Sequence, residues 1–244
     1  MLTESGTSPF VLIHGGRHGG WAWRLVAETL RQAGHEVFTP TLTGLGERAH
    51  LLTPQVGLDT HIKDVIGVFN FEDLDNAILV AHSYGGMVVS GALEVVYSRV
   101  RHVVFLDAHM PTSGESVFDL IGPERNQRMR EMADVGGHGW VVPTSDASWW
   151  GITDPDQLAW VNSKVTPQPL KTYTDHLGHI ERVWTLPGTF IECNPSRISE
   201  LELERVRARD AIDSQFSIER LDTCHEAMIT APKALADILI RIAG

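Results

Sequence analysis

The stretch Ile78-Leu79-Val80-Ala81-His82-Ser83-Tyr84-Gly85-Gly86 is an apolar run that stops on a serine, with small residues two positions before and after it. This reads as a nucleophile elbow, in which a buried strand turns sharply into a helix and the apex serine takes a strained backbone that lifts its hydroxyl over the sheet edge. The usual spacing is Gly-x-Ser-x-Gly; here Ala81 replaces the first glycine and Gly85 keeps the second. A serine hydroxyl is a poor nucleophile near neutral pH. It needs an imidazole base within hydrogen-bond reach, worth typically ~10²- to 10⁴-fold in rate, together with an acid to orient that base and N–H donors for the oxyanion. Twelve histidines compete for the role of base.

Positioning such a serine requires a buried sheet, and the chain has the material for one. Its 244 residues are 43% hydrophobic and 21% charged, which suits a single large α/β domain. Phe10-Val11-Leu12-Ile13 is a continuous apolar run, as in a strand buried on both faces. Ala22, Leu25, Val26, Leu30 and Ala33 then fall at helical spacing, and Glu36 to Thr39 reads as the next strand. A helix is expected near Asp59, another from Met87 to Val96, and a strand over His102 to Leu106 that delivers Asp107 at its end. The stretch 111–187 is irregular and holds five of the seven tryptophans, Trp140, Trp149, Trp150, Trp160 and Trp184, so it reads as a mainly helical cap inserted over the sheet edge. Strand patterns return at Thr189 to Cys193 and Phe216 to Leu221, before a closing helix opened by Pro232. The expected architecture is a doubly wound, mostly parallel sheet of about six strands. Its division is a tail over 1–9, a core over 10–110 and 188–244, and the cap over 111–187.

Charge and small motifs exclude several function classes. A formal net charge of −11 argues against nucleic acid or an anionic membrane as a partner, since both call for basic patches. Residues 1–9 hold Glu4 and no basic residue, unlike a signal peptide, and no apolar run approaches the ~18 residues of a membrane span. With two cysteines, Cys193 and Cys224, a reducing compartment and a cytoplasmic location are expected. The run Gly15-Gly16-Arg17-His18-Gly19-Gly20 fits neither a dinucleotide fingerprint nor a P-loop. His225-Glu226 lacks the second histidine of His-Glu-x-x-His, and His176 with His179 has no nearby third ligand. No metal and no cofactor is expected, and a homodimer stays open.

Four ordered motifs carry a resemblance: His14 to Trp23, Leu42-Thr43-Gly44-Leu45-Gly46-Glu47-Arg48, His82 to Met87, and Leu221-Asp222-Thr223-Cys224-His225-Glu226-Ala227-Met228. Together they resemble the α/β-hydrolase superfamily, and within it the small branch of plant methylesterases, hydroxynitrile lyases and bacterial carboxylesterases. The resemblance implies Ser83 as nucleophile and His225 as base, the latter following the last strand in the chain order of that fold. It also implies oxyanion donors at the N–H groups of Gly16 and Tyr84, a buttress for the oxyanion loop at His14, and a supporting place for His82 beside the nucleophile. The acid departs from the pattern. Plant members carry it in the loop matching Asn194-Pro195-Ser196-Arg197, where no carboxylate stands here. Asp107 is the expected substitute, with Glu192 and Asp222 as alternatives.

Hydroxynitrile lyases of this branch place a lysine after the base and a threonine after the first histidine; here those positions are Glu226 and Gly15. That favours hydrolysis through an acyl-serine over lyase chemistry. Arg17, His18, Trp140, Trp149, Trp150 and Trp160 are candidate pocket residues for a small aromatic or heteroaromatic methyl or carbamate ester. A lyase and a ligand receptor with little turnover are the competing readings.

Overall fold

The structure, a computed structural model, describes residues 7–244; of the tail expected over 1–9, residues 1–6 lie outside the described residues. The alternation of apolar strands and amphipathic helices builds a six-stranded sheet from β1 (Phe10–Ile13), β2 (Val37–Phe38), β3 (Ala77–His82), β4 (Val100–Leu106), β7 (Gly188–Cys193) and β8 (Phe216–Leu221). Its order is β2-β1-β3-β4-β7-β8, and every neighbouring pair is parallel. Register aligns the strand ends: Ile13 faces Ala81, His82 faces Leu106, Leu106 faces Ile191 and Cys193 faces Leu221. The residues that follow each strand therefore emerge at one edge, which is where ligands bind in open parallel sheets.

Strand residues alternate between two cores. Val11, Ile13, Leu79, Ala81, Val103 and Phe105 join the core shared with α2 (Leu58–Phe71) and α3 (Gly85–Val96), through side chains such as Val65, Phe69, Met87 and Val88. Phe10, Leu12, Ile78, Val80, Val104 and Leu106 join the other core, with Val26 and Leu30 of α1 (Arg24–Gln32) and Leu235 and Leu239 of α10 (Pro232–Ala243). Because both faces are covered, β1 and β3 are buried throughout and show no polar alternation.

Between β4 and β7 the chain leaves the sheet. It forms α4 (Val117–Leu120), α5 (Pro123–Gly136), α6 (Pro155–Asn162), α7 (Lys171–Thr174) and a two-stranded antiparallel ribbon of β5 (Val141–Val142) and β6 (Gln168–Pro169). Two further helices, α8 (Glu200–Asp210) and α9 (Ala227–Thr230), flank β8. Among the described residues no helix is long and apolar enough to cross a membrane.

Candidate active site

Ser83 occupies the turn from β3 into α3 with φ of 51°, in the left-handed region that side chains avoid. The turn is held by the neighbouring strand. Ser83 N donates to the Leu106 carbonyl at 3.3 Å, and the Ser83 carbonyl accepts from Gly86 N at 3.0 Å and His109 N at 3.1 Å. Close packing explains the small residues: a Cβ at Gly86 would come within 2.0 Å of the His109 carbonyl oxygen, and one at Gly85 within 3.0 Å of the Ile13 and His14 carbonyls. Ala81 is fully buried.

Asp107 ends β4, is buried, and also has positive φ, 39°. Its Oδ2 accepts from His225 Nδ1 at 2.6 Å and from Arg197 N at 2.9 Å, while Oδ1 accepts from Ser196 Oγ at 2.5 Å. Burial pushes the carboxyl pKa up, but the His225 hydrogen bond and charge, with Ser196 and Arg197, outweigh it and hold the group below its ordinary value. A proton fixed on His225 Nδ1 leaves the Nε2 lone pair for base work. The loop at Asn194 to Arg197 thus brings donors to the Asp107 carboxylate where it has no carboxylate of its own. Glu192 instead pairs with Arg207 and Arg220 at 3.4 Å each, and Asp222 accepts from Asn194 Nδ2 at 3.2 Å. Both line a separate surface depression away from Ser83.

Three buried histidines fix the surroundings as neutral spacers. His14 donates from Nδ1 to the Gly15 carbonyl at 2.8 Å and accepts at Nε2 from Leu42 N at 3.0 Å, tying the β1 turn to the loop after β2; burial pulls its pKa down to about 3. His61 accepts from the Tyr84 hydroxyl at 2.8 Å and donates to the Thr43 carbonyl at 2.9 Å, with its pKa lowered to about 4 by burial. His82 donates from Nε2 to the His225 carbonyl at 3.0 Å, and burial, followed by the nearby His225 and His18, holds it well below 6.5.

A cavity of about 670 Å³ opens at this edge, lined by Ser83, Gly16, Tyr84 and His225 together with Arg17, His18, Trp149 and Trp150. Trp140 and Trp160 do not line it. Trp160 instead packs edge-on against Trp21 at 5.2 Å and against the core that holds α1 and α10. Sequence reasoning missed His109 and the α5 face of Arg125, Arg128, Met129 and Met132, as well as Arg197. The α5 positions recur at i, i+3, i+4 and i+7, but two of them are arginines, so no apolar stripe marks that face in the sequence. Arg128 and Arg197 stack over Trp149 with their guanidinium carbons 4.7 and 4.9 Å from its ring centre. Among the described residues His82, His225 and Glu226 each bring one potential ligand atom within 4.8 Å of the others.

Comparison with known proteins bears on the family and the fold. A profile described as the alpha/beta hydrolase family matches residues 10–238. The chain is 42% identical over 172 residues to the carbendazim hydrolyzing esterase of Nocardioides sp. (strain SG-4G), a match covering 67% of this chain and 70% of that one. It is 35% identical over 264 residues to methylesterase 7 of Arabidopsis thaliana, covering 99% and 98% of the two. In fold it is similar to an extracellular alpha/beta-hydrolase from a Paenibacillus species, with a TM-score of 0.83 at 22% identity over 96% of this chain and 98% of that one.

Proposed function

The chain belongs to the alpha/beta hydrolase family, and from that premise we propose that it is a serine carboxylesterase acting on a small aromatic or heteroaromatic methyl or carbamate ester. Its esterase relatives support hydrolysis of an ester. The observation that carries the serine mechanism is the 2.6 Å bond from His225 Nδ1 to Asp107, with Ser83 and His225 lining one cavity. In this reading His225 Nε2 takes the Ser83 proton as Oγ attacks the carbonyl carbon, and Asp107 stabilises the imidazolium without accepting that proton. The N–H groups of Gly16 and Tyr84 receive the oxyanion. Collapse of the tetrahedral intermediate expels the alcohol, protonated by His225, and leaves acyl-Ser83. Water activated by the same imidazole then releases the acid. The segment 111–187 acts as the cap, and Trp149 and Trp150 offer flat walls to an aromatic group.

The test is pre-steady-state turnover of p-nitrophenyl acetate with and without a serine-directed phosphonate. A burst that phosphonate abolishes, with the label on Ser83 and loss of turnover in Ser83→Ala, is expected. Ligand binding without burst or label would instead favour a receptor, and cyanide release from mandelonitrile a lyase. Methyl esters and carbendazim, the compound in the name of the Nocardioides relative, then rank substrates.

A further inference from the structure

Beside the base, the cavity contains a group of buried acceptors that the acyl-transfer steps leave unused. The Glu226 side chain is fully buried, and neither of its carboxylate oxygens has a hydrogen-bond partner among the described residues. His18 Nδ1 donates to the Gly16 carbonyl at 2.7 Å; its Nε2 lies 3.4 Å from Glu226 Oε2 but is not aligned to bond it, and both atoms remain unpartnered. His82 donates its Nε2 proton to the His225 carbonyl, so its buried Nδ1 is a lone pair, again without a partner. Glu226, His18 and His82 all line the cavity that holds Ser83. Buried polar atoms normally find partners. The Glu226 carboxylate and the His82 Nδ1 lone pair are acceptors that a species bringing N–H or O–H groups, or positive charge, completes.

We propose that Glu226, flanked by His18 and His82, is the specificity-determining pole of the cavity and takes an N–H donor of the substrate, as on a ring nitrogen or a carbamate nitrogen. The proposal rests on the serine esterase reading for the identity of the ester and deepens it to an N–H-bearing heteroaromatic or aryl carbamate. His18 is held in place by its neighbours, stacked on Trp21 at 5.3 Å and edge-on to Trp150 at 5.0 Å, and Trp150 brings an aromatic ring to the cavity wall beside it. A metal ion would compete for the same atoms, but it would also take the His225 lone pair that removes the Ser83 proton. A site built to bond a substrate N–H discriminates strongly against the analogue that lacks it, because its own polar group is then left unpaired.

Two measurements test this. The first compares kcat/KM for methyl N-phenylcarbamate with that for methyl N-methyl-N-phenylcarbamate in the wild type, Glu226→Gln and Glu226→Leu. The preference for the N–H ester should fall about tenfold or more in Glu226→Leu and by less in Glu226→Gln, whatever happens to the rate common to both esters. An unchanged ratio would overturn the proposal. The second uses calorimetry on Ser83→Ala, so it reads the pole even if the esterase reading fails. Addition of Glu226→Leu should weaken 2-aminobenzimidazole about tenfold or more and leave 1-methylbenzimidazole alike or tighter. Equal losses for both ligands mean a structural role, and overturn the idea. So does Zn²⁺ binding that depends on Glu226 while 2-aminobenzimidazole binding does not.

Discussion

At the scale of single residues the weight falls on Asp107. It is the carboxylate bonded to His225 Nδ1, and Ser196 and Arg197 N hold its other lone pairs. Asp107→Asn should lower kcat by about 10⁴-fold with the circular dichroism spectrum unchanged, because the imidazole then loses both its orientation and its counter-charge. Near-normal turnover would remove Asp107 from the mechanism. Ser196→Ala deletes a hydrogen bond to a buried charged group and should cost about 1.5–3 kcal/mol in a urea titration near pH 7. The sign with pH follows from the lowered Asp107 pKa. Its contribution to stability is present above the ordinary 3.8 and is lost as pH falls through the lower folded value. The Ser196→Ala deficit should therefore shrink in strong acid.

At the scale of elements, the elbow works because α3 starts against the ends of two strands. Gly86→Ala would drive a methyl into the His109 backbone carbonyl, 2.0 Å away, where no side-chain rotation relieves it. A loss of about 3 kcal/mol or more, or failure to accumulate soluble protein, is expected from such overpacking. Gly67 in the middle of α2 is the matched control, since a Cβ there meets nothing within 4 Å. Gly67→Ala should stabilise the fold by about 0.5–1 kcal/mol, seen as a higher denaturation midpoint, through helix propensity and unfolded-state entropy. Opposite signs for the same chemical change would locate the constraint in the elbow; equal effects would refute it.

For the whole molecule, several imidazoles are buried neutral at the heart of the sheet edge. His14 and His61 titrate near 3 and 4 when folded because burial disfavours the cation, against 6.5 as the ordinary value. As pH falls below 6.5 the unfolded chain takes these protons first, so stability is full above that pH and declines below it. Each imidazole contributes a slope of about 1.4 kcal/mol per pH unit until its folded pKa is reached. The urea midpoint should be lower at pH 5 than at pH 7, and His61→Gln should flatten that dependence. A midpoint constant from pH 7 to pH 5 would contradict neutral burial.

Local order was legible wherever the code is short-range. The apolar runs of β1 and β3 and the Ala81-to-Gly85 spacing announced a parallel sheet and its elbow, because burial on both faces demands continuous apolar sequence. By contrast, α8 was hidden: its Glu-Leu-Glu-Leu-Glu-Arg-Val-Arg run buries only a narrow stripe including Leu203 and Val206. For the same reason charged α5 concealed the arginines it turns toward the cavity. The order of residues along the chain places a serine at an elbow, sets Asp107 and Asp222 after strands and Glu192 within one, and brings His225 after the last strand. Folding then joins Asp107 to His225 across 118 positions, while Glu192 and Asp222 line a separate depression. The reason is physical: periodicity is set by near neighbours, whereas convergence at one edge depends on the order and register of β3, β4, β7 and β8, which no single segment encodes.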